Sequence, residues 1–244
     1  MAVVAVDCGG TNLAWGLYDR DGRGEPRGRR ATPSVAARIP AEVTAAVLPL
    51  LGPAVGAIGI GCAGLVDHAS GTLVWSPHAT GSAVPLGREV AAATGLPVVV
   101  DNDANLACLA EARAGAGEGH RMVLFVGLGT GVGGGLAIDG RIERGRGFLG
   151  EMGHMTLDPS GPDCACGRHG CWEALVSGTA LGREAEALAA AEPAAAVAEA
   201  AAGGPPRGEH LAAAAAAGDA AARAALAAAG ADLGGGRARA LGAL

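Results

Sequence analysis

The 244-residue chain carries 18 arginines, no lysine and 24 acids, for a formal charge of −6; half its residues are hydrophobic, 43 are glycine and only 2% are aromatic. That length holds one large domain or two small lobes with a substantial core. The missing lysine excludes a Walker-A, Schiff-base or protein-kinase strand lysine, and the acidic balance argues against a nucleic-acid partner, which needs a basic stripe.

In chain order, the apolar run of residues 2–7 ends at Asp7 and reads as a strand. It is too short for a signal peptide core or a membrane span, so the expectation is a cytoplasmic protein with no membrane partner. Gly9-Gly10-Thr11-Asn12 makes a turn into a second strand over residues 13–18, and Asp21-Gly22 lies in a turn-rich stretch after it. Residues 36–51 have helical spacing (Ile39, Val43, Val47, Leu51). A strand over 55–60 runs into Gly61-Cys62-Ala63-Gly64, a helix is expected over 86–94, and a buried strand over 97–100 ends in Asp101-Asn102-Asp103. A helix over 104–114, a strand over 122–126, a glycine run from Gly127 to Gly135 and a hairpin through Asp139-Gly140 follow. From Glu184 the chain turns alanine-rich and reads as helices broken near Gly203-Gly204-Pro205-Pro206. Strands alternating with helices indicate an α/β architecture. The division falls near Gly115–Gly119, giving lobes 1–118 and 119–244.

Four constellations could carry chemistry. In Asp7-x-Gly9-Gly10-Thr11, the glycines allow close backbone approach to an anion and the acid could hold magnesium through water; an ordinary tight hairpin fits as well. Gly129-Thr130-Gly131-Val132-Gly133-Gly134 matches G-x-G-x-x-G, but a strand rather than a helix follows, so a second phosphate-cradling hairpin fits better than a dinucleotide site. Asn102-Asp103, past a strand end, could supply a general base or simply cap the next helix. Cys164, Cys166 and Cys171 with one histidine would complete a closed, structural zinc site; His169 competes with His154 as the fourth ligand but lies inside the tight loop, where spacing is awkward. Cys8, Cys62 and Cys108 read as small buried residues.

Together these motifs resemble the ROK family of sugar kinases (repressors, open reading frames and kinases), and among them the bacterial ATP-dependent glucokinases. The resemblance runs in family order from residue 2 to about residue 180. It is carried by Asp7-x-Gly-Gly-Thr-Asn, Gly59-Ile-Gly-Cys-Ala-Gly64-Leu-Val-Asp67, Asn102-Asp103-Ala-Asn105, the glycine run 127–135, Gly150-Glu-x-Gly-His154 and Cys164-x-Cys-Gly-x-x-Gly-Cys171-x-Glu173. It implies a hexokinase/actin-like (ribonuclease H-like) two-lobe ATPase fold. The implied activity is ATP-dependent phosphorylation of a hexose 6-hydroxyl, glucose first. Another hexose, an N-acetylhexosamine, a catalytically impaired sugar binder and a regulator lacking its DNA-binding domain are the alternatives.

Residue by residue, the resemblance implies Asp103 as the base, with Gly64, Asn102, Glu151, His154 and Glu173 around the sugar. Asp7, Gly9, Gly10, Thr11, Asn12, Gly129, Thr130 and Gly131 would face the nucleotide and its Mg²⁺. His154, Cys164, Cys166 and Cys171 would hold Zn²⁺. A homodimer is common in such relatives. The chain departs from the family in having Pro77-His78 where Pro-Asn is usual. It also stops at Leu244, short of the family's last strand, Gly-Gly-Gly turn and helix. The resemblance then implies an open adenine side and weak nucleotide binding.

Overall fold

In the computed structural model of the chain, residues 1–192 and 196–243 are described; 193–195 and the terminal Leu244 lie outside that set. Two compact units divide the chain: Met1–Phe125 with Gly135–Gly150, and Val126–Gly134 with Glu151–Leu244. The chain passes between them after Phe125, Gly134 and Gly150, where the sequence suggests a single division after residue 118.

The first unit opens with strand β1 (Ala2–Cys8), whose Val4, Val6 and Cys8 are buried while Ala5 and Asp7 face outward. That alternation is what a sheet covered on one side requires. β2 (Asn12–Tyr18) runs back antiparallel, and β3 (Gly24–Ala31) pairs with it through a bulge beside Trp15. β3 was not expected: Gly-Glu-Pro-Arg-Gly-Arg-Arg-Ala has no apolar run. It is an edge strand, where proline and exposed charges are tolerated. Arg30 anchors it, stacking over the Trp15 ring at 4.9 Å and bonding Glu42 at 2.8 Å. Helix α1 (Ile39–Val47) buries Ile39, Val43 and Val47 at helical spacing. The expected helix to residue 51 instead tightens into a 3₁₀ turn over Leu48–Leu50, because Pro49 has no N–H for the ladder.

β4 (Val55–Cys62) lies parallel to β1, with Cys8 and Cys62 in register and both buried. An antiparallel meander that the sequence reading missed follows: β5 (Leu65–Asp67), β6 (Thr72–Ser76) and β7 (Ala79–Val84). Its strands are too short to show a period, yet Val66, Leu73 and Val84 reach the core. Helix α2 (Leu86–Thr94) leads to β8 (Val98–Asn102), which completes a five-stranded sheet of order β3-β2-β1-β4-β8. Helix α3 (Asp103–Ala114) starts directly at the strand's end.

β9 (Met122–Leu128), β10 (Val132–Ile138) and β11 (Arg141–Glu143) form a second sheet of order β11-β10-β9. Asp139 and Gly140 both have positive φ, as a two-residue hairpin turn demands. The glycine run is thus mostly strand, with a turn of only three residues, Gly129 to Gly131. No helix follows it, so the dinucleotide reading fails as expected. In the first unit α3 packs Cys108 and Ala112 on Ala137 and Ile142.

The second unit is mainly helical: α4 (Trp172–Val176), α5 (Gly178–Ala191), α6 (Ala196–Ala200), α7 (Gly208–Ala217) and α8 (Ala220–Gly242). The expected break before α7 holds. Ala185, Val197, Leu211, Ala214, Ala215 and Ala222 make its core, small side chains letting helices approach closely. Among the described residues no helix is long and apolar enough to cross a membrane.

Trp172 is fully buried, and a Cβ on Gly236 would strike its indole, whereas one on Gly235 would meet nothing within 4 Å. Both glycines lie within α8, where alanine is ordinarily favoured by about 1 kcal/mol. Gly235→Ala is therefore expected to stabilise by about 0.5–1 kcal/mol and Gly236→Ala to destabilise by about 1–3 kcal/mol through overpacking. Chemical denaturation of the two variants checks the opposite signs.

Candidate active site

In the first unit, the candidate residues gather at the carboxyl ends of three parallel strands. β1 ends beside Asp7 and the loop Gly9–Asn12, β4 leads to Gly64, and β8 ends at Asn102. This is the end of a parallel sheet at which ligands of α/β proteins bind. The Gly9–Asn12 loop is held by Gly9 N–H donating to the Asn12 carbonyl at 3.0 Å and by the Thr32 hydroxyl donating to the Gly9 carbonyl at 2.7 Å. Arg29 Nη2 donates to Asn12 Oδ1 at 3.1 Å. The His78 ring lies against Gly10, 2.5–2.7 Å from where a Cβ would stand, so the departure from Pro-Asn places an imidazole directly on this loop.

Asn102 is both cap and connector. Its Oδ1 accepts the Asn105 N–H at 3.0 Å, and its Nδ2 donates to the Gly64 carbonyl at 3.0 Å. Gly64 itself has φ +133°, and a side chain there would collide with the Trp75 carbonyl and Ser76, so only glycine serves. Asp103 takes the first helical position of α3, its Oδ1 accepting the Ala104 N–H at 2.9 Å. Asn102 thus takes the cap role, and Asp103 follows it as the first helical residue.

Asp7 reaches solvent at its tip, but the crowding around it raises its carboxyl above the usual carboxylate range, and the negative charge of Asp103 adds to the rise. Two carboxylates that repel each other beside a glycine loop are suited to a cationic or protonated ligand.

The sequence reading missed Asp101. It is 1% exposed and ion-paired with Arg144, with His68 3.5 Å away. A single acid continuing the apolar run Val98-Val99-Val100 was the available signal; its partner, 43 residues on, was not visible.

In the second unit, Glu151 and His154 flank a short 3₁₀ turn, with His154 Nε2 3.8 Å from Glu151 Oε2. The other ring nitrogen, Nδ1, lies 3.6 Å from the Cys164 sulfur. Cys166 and Cys171 sulfurs are 3.6 Å apart, and all four donor atoms lie within 4.8 Å of one another. Three thiols and an imidazole at that spacing fit a tetrahedral zinc with metal–sulfur distances of about 2.3 Å. His169 is excluded from the cluster: its Nδ1 pairs with Asp163 at 2.7 Å, at the surface. Desolvation alone would raise the Cys166 thiol, yet hydrogen bonds from Arg168 and the two other thiols bring it down to about 6.

Glu173 lies at the start of α4, and its Oε2 accepts the Val132 N–H at 2.9 Å. Gly178 N–H donates to the Gly129 carbonyl at 2.8 Å, and the Thr179 hydroxyl to the Thr130 carbonyl at 2.8 Å. The Gly129–Gly131 turn is therefore braced by the Glu173 side chain and by the first residues of α5. The structure joins residues that the resemblance had divided between sugar and nucleotide.

Comparisons with known proteins agree with these features. Over 192 residues the chain is 41% identical to the glucokinase of Streptomyces coelicolor, a stretch covering 78% of this chain and 61% of that protein. It is 37% identical over 192 residues to the N-acetylmannosamine kinase of Escherichia coli, covering 76% of this chain and 65% of that one. The matched stretch thus spans less than two thirds of either relative's length. Among solved structures, a ROK family glucokinase from Streptomyces griseus in complex with glucose and AMPPNP superposes with a TM-score of 0.78 at 40% identity. That match covers 92% of this chain and 74% of that one. The fold is the hexokinase/actin-like α/β fold of these enzymes. The ROK family model matches residues 3–242, and the chain belongs to the ROK family.

Proposed function

We propose that the chain is a hexose kinase that transfers the terminal phosphoryl group of ATP to the 6-hydroxyl of glucose, with Asp103 as general base. The observation that carries this reading is the Asn102–Asp103 turn. A capped helix start holds one acid at the carboxyl end of a parallel strand, its neighbour Asn102 tied to Gly64.

In the proposed reaction the Asp103 carboxylate accepts the proton of the sugar hydroxyl as its oxygen attacks the terminal phosphorus. The bond to the bridging oxygen breaks, and ADP leaves with the electron pair. A positioned base contributes about 10²–10⁴-fold, and alignment supplies much of the rest, so no lysine is needed. Asp7, Gly9–Asn12 and Gly129–Gly131 are the proposed nucleotide contacts, and Mg²⁺ brought with ATP neutralises charge on the phosphates. Gly64, Asn102, Glu151, His154 and Glu173 are the proposed partners of the sugar hydroxyls. Such a hydroxyl-pairing set discriminates against sugars that lack a hydroxyl.

His154, Cys164, Cys166 and Cys171 would hold a structural zinc, which when bound supplies local stability and fixes the His154 ring. With Nδ1 given to the metal, Nε2 is directed toward Glu151, the arrangement a substrate-facing imidazole needs. The cytoplasm, where ATP and free sugars meet, is the proposed location. The N-acetylmannosamine kinase relative supports a second substrate reading, an N-acetylhexosamine.

A coupled ADP-release assay over glucose, mannose, fructose, N-acetylglucosamine and N-acetylmannosamine is expected to give the highest kcat/KM with glucose. Turnover only on N-acetylmannosamine moves the reading to the second substrate, and sugar binding without any turnover refutes the kinase. Asp103→Asn should lower kcat by about 10²–10⁴-fold while leaving sugar binding by calorimetry largely intact.

Purified chain should carry one zinc, measured by elemental analysis. Stripping it with a strong chelator should lower the melting temperature, and Cys171→Ser should abolish zinc retention.

Asp7→Asn should act in opposite directions on stability and function. A raised carboxyl means the folded state binds the proton more tightly than the unfolded chain, so stability falls as pH rises from the unfolded value of 3.8 to the raised folded value. At pH 7–8 the amide should therefore melt about 1–3 °C higher, with the gain vanishing in acid below 3.8, while nucleotide turnover drops.

A further inference from the structure

The carboxylate of Asp101 makes an unusual set of contacts for a residue that faces neither solvent nor apolar core. Its Oδ1 accepts the Asn102 N–H at 2.9 Å and the Asn105 side-chain amide at 3.3 Å. Its Oδ2 takes both Nε, at 3.2 Å, and Nη2 of Arg144. Arg144 Nη1 in turn donates to the Ile142 carbonyl at 3.3 Å, which ties the guanidinium to β11. His68 Nδ1 donates to the Val100 carbonyl at 2.9 Å and closes the remaining side. All these groups lie in the first unit.

Two of the contacts go to Asn102 and Asn105, which bracket Asp103 on the first turn of α3. Asn102 and Asn105 are also bonded to each other, Asn102 Oδ1 to Asn105 N–H. The turn is therefore closed from its outer side by the cap and from its inner side by Asp101. Without the inner acid, the Arg144 fork would lose its counter-ion and the turn one of its two anchors. A buried pair of this kind is a poor way to gain stability, since removing both charges from water costs about what the pairing returns. What it provides is geometry: two guanidinium donors converge on Oδ2 while Asn102 N–H and the Asn105 amide hold Oδ1, so both carboxylate oxygens are pinned and few orientations remain.

We propose that Asp101, held by Arg144, is the positioning residue for Asp103, setting the backbone of the turn so that the base points at the sugar hydroxyl. The proposal rests on the kinase reading above and adds a residue outside the reacting groups. Asp101 touches no substrate, being sealed at 1% exposure, so it acts only through Asn102 and Asn105.

The test combines steady-state kinetics with amide exchange on the full chain. Asp101→Asn keeps the shape and loses the charge; Arg144→Gln removes the fork; Arg144→Lys keeps the charge without the fork. The expected result is kcat lower by about 10–100-fold in Asp101→Asn and Arg144→Gln, with KM for sugar and ATP within about threefold of the parent. Arg144→Lys should recover part of the loss. Exchange of the Asn102, Ala104 and Asn105 amides should quicken in the first two variants while amides of β1 stay protected. An unchanged kcat in folded Asp101→Asn and Arg144→Gln overturns the proposal, as does a loss that appears in KM alone. If Asp101→Asn does not fold, the two Arg144 variants are read in its place. If the parent chain phosphorylates no sugar, the kinase reading fails separately, and exchange decides the positioning claim: faster exchange in the turn upholds it, unchanged exchange overturns it.

Discussion

The first turn of α3 is the constraint on which the proposed chemistry of the first unit depends. A parallel strand delivers its chain upward, and a helix must begin at once. The helix leaves N–H groups without partners, and Asn102 satisfies one while Asp103 occupies the position where a negative charge is favoured by the helix dipole. The same tie that caps the helix reaches Gly64, so the strand ends of β4 and β8 are joined by a side chain rather than by packing alone. Folding requirement and proposed catalytic requirement coincide on two adjacent residues.

The second unit meets a different difficulty. Its loop 155–171 has few large apolar side chains, and Cys164, Cys171 and Ala174 form only a small cluster. A four-ligand metal site would supply what such a loop lacks, and the four donor atoms lie within 4.8 Å of one another. Beside it, Glu173 and the start of α5 brace the Gly129–Gly131 turn, so a loop of glycines gains rigidity from outside itself. Trp172, the one large buried side chain of α4, depends in turn on a glycine of α8.

Much of this was legible in the chain. The apolar run of β1 ending at Asp7, the spacing of Ile39, Val43 and Val47, and the Asp139-Gly140 hairpin each translate directly into local structure. What escaped was decided by partners far away in sequence. β3 has no pattern of its own and exists because β2 offers an edge; the β5–β7 meander is too short for a period to show. Spacing makes His169, inside the tight loop, an awkward ligand beside His154, and its surface pairing with Asp163 takes it out of the cluster. Asp101 was hidden because its meaning lies in Arg144. The family resemblance supplied what local patterns could not, namely which acid of Asp101-Asn102-Asp103 to propose as the base.

The most direct measurement of the central claim is phosphorus NMR of the chain mixed with ATP and carbon-13-labelled glucose. The account predicts a new phosphomonoester coupled to carbon 6 of the sugar, formed by the parent chain and nearly absent with Asp103→Asn. A phosphoester on another carbon, or equal product from the Asp103 variant, would contradict it.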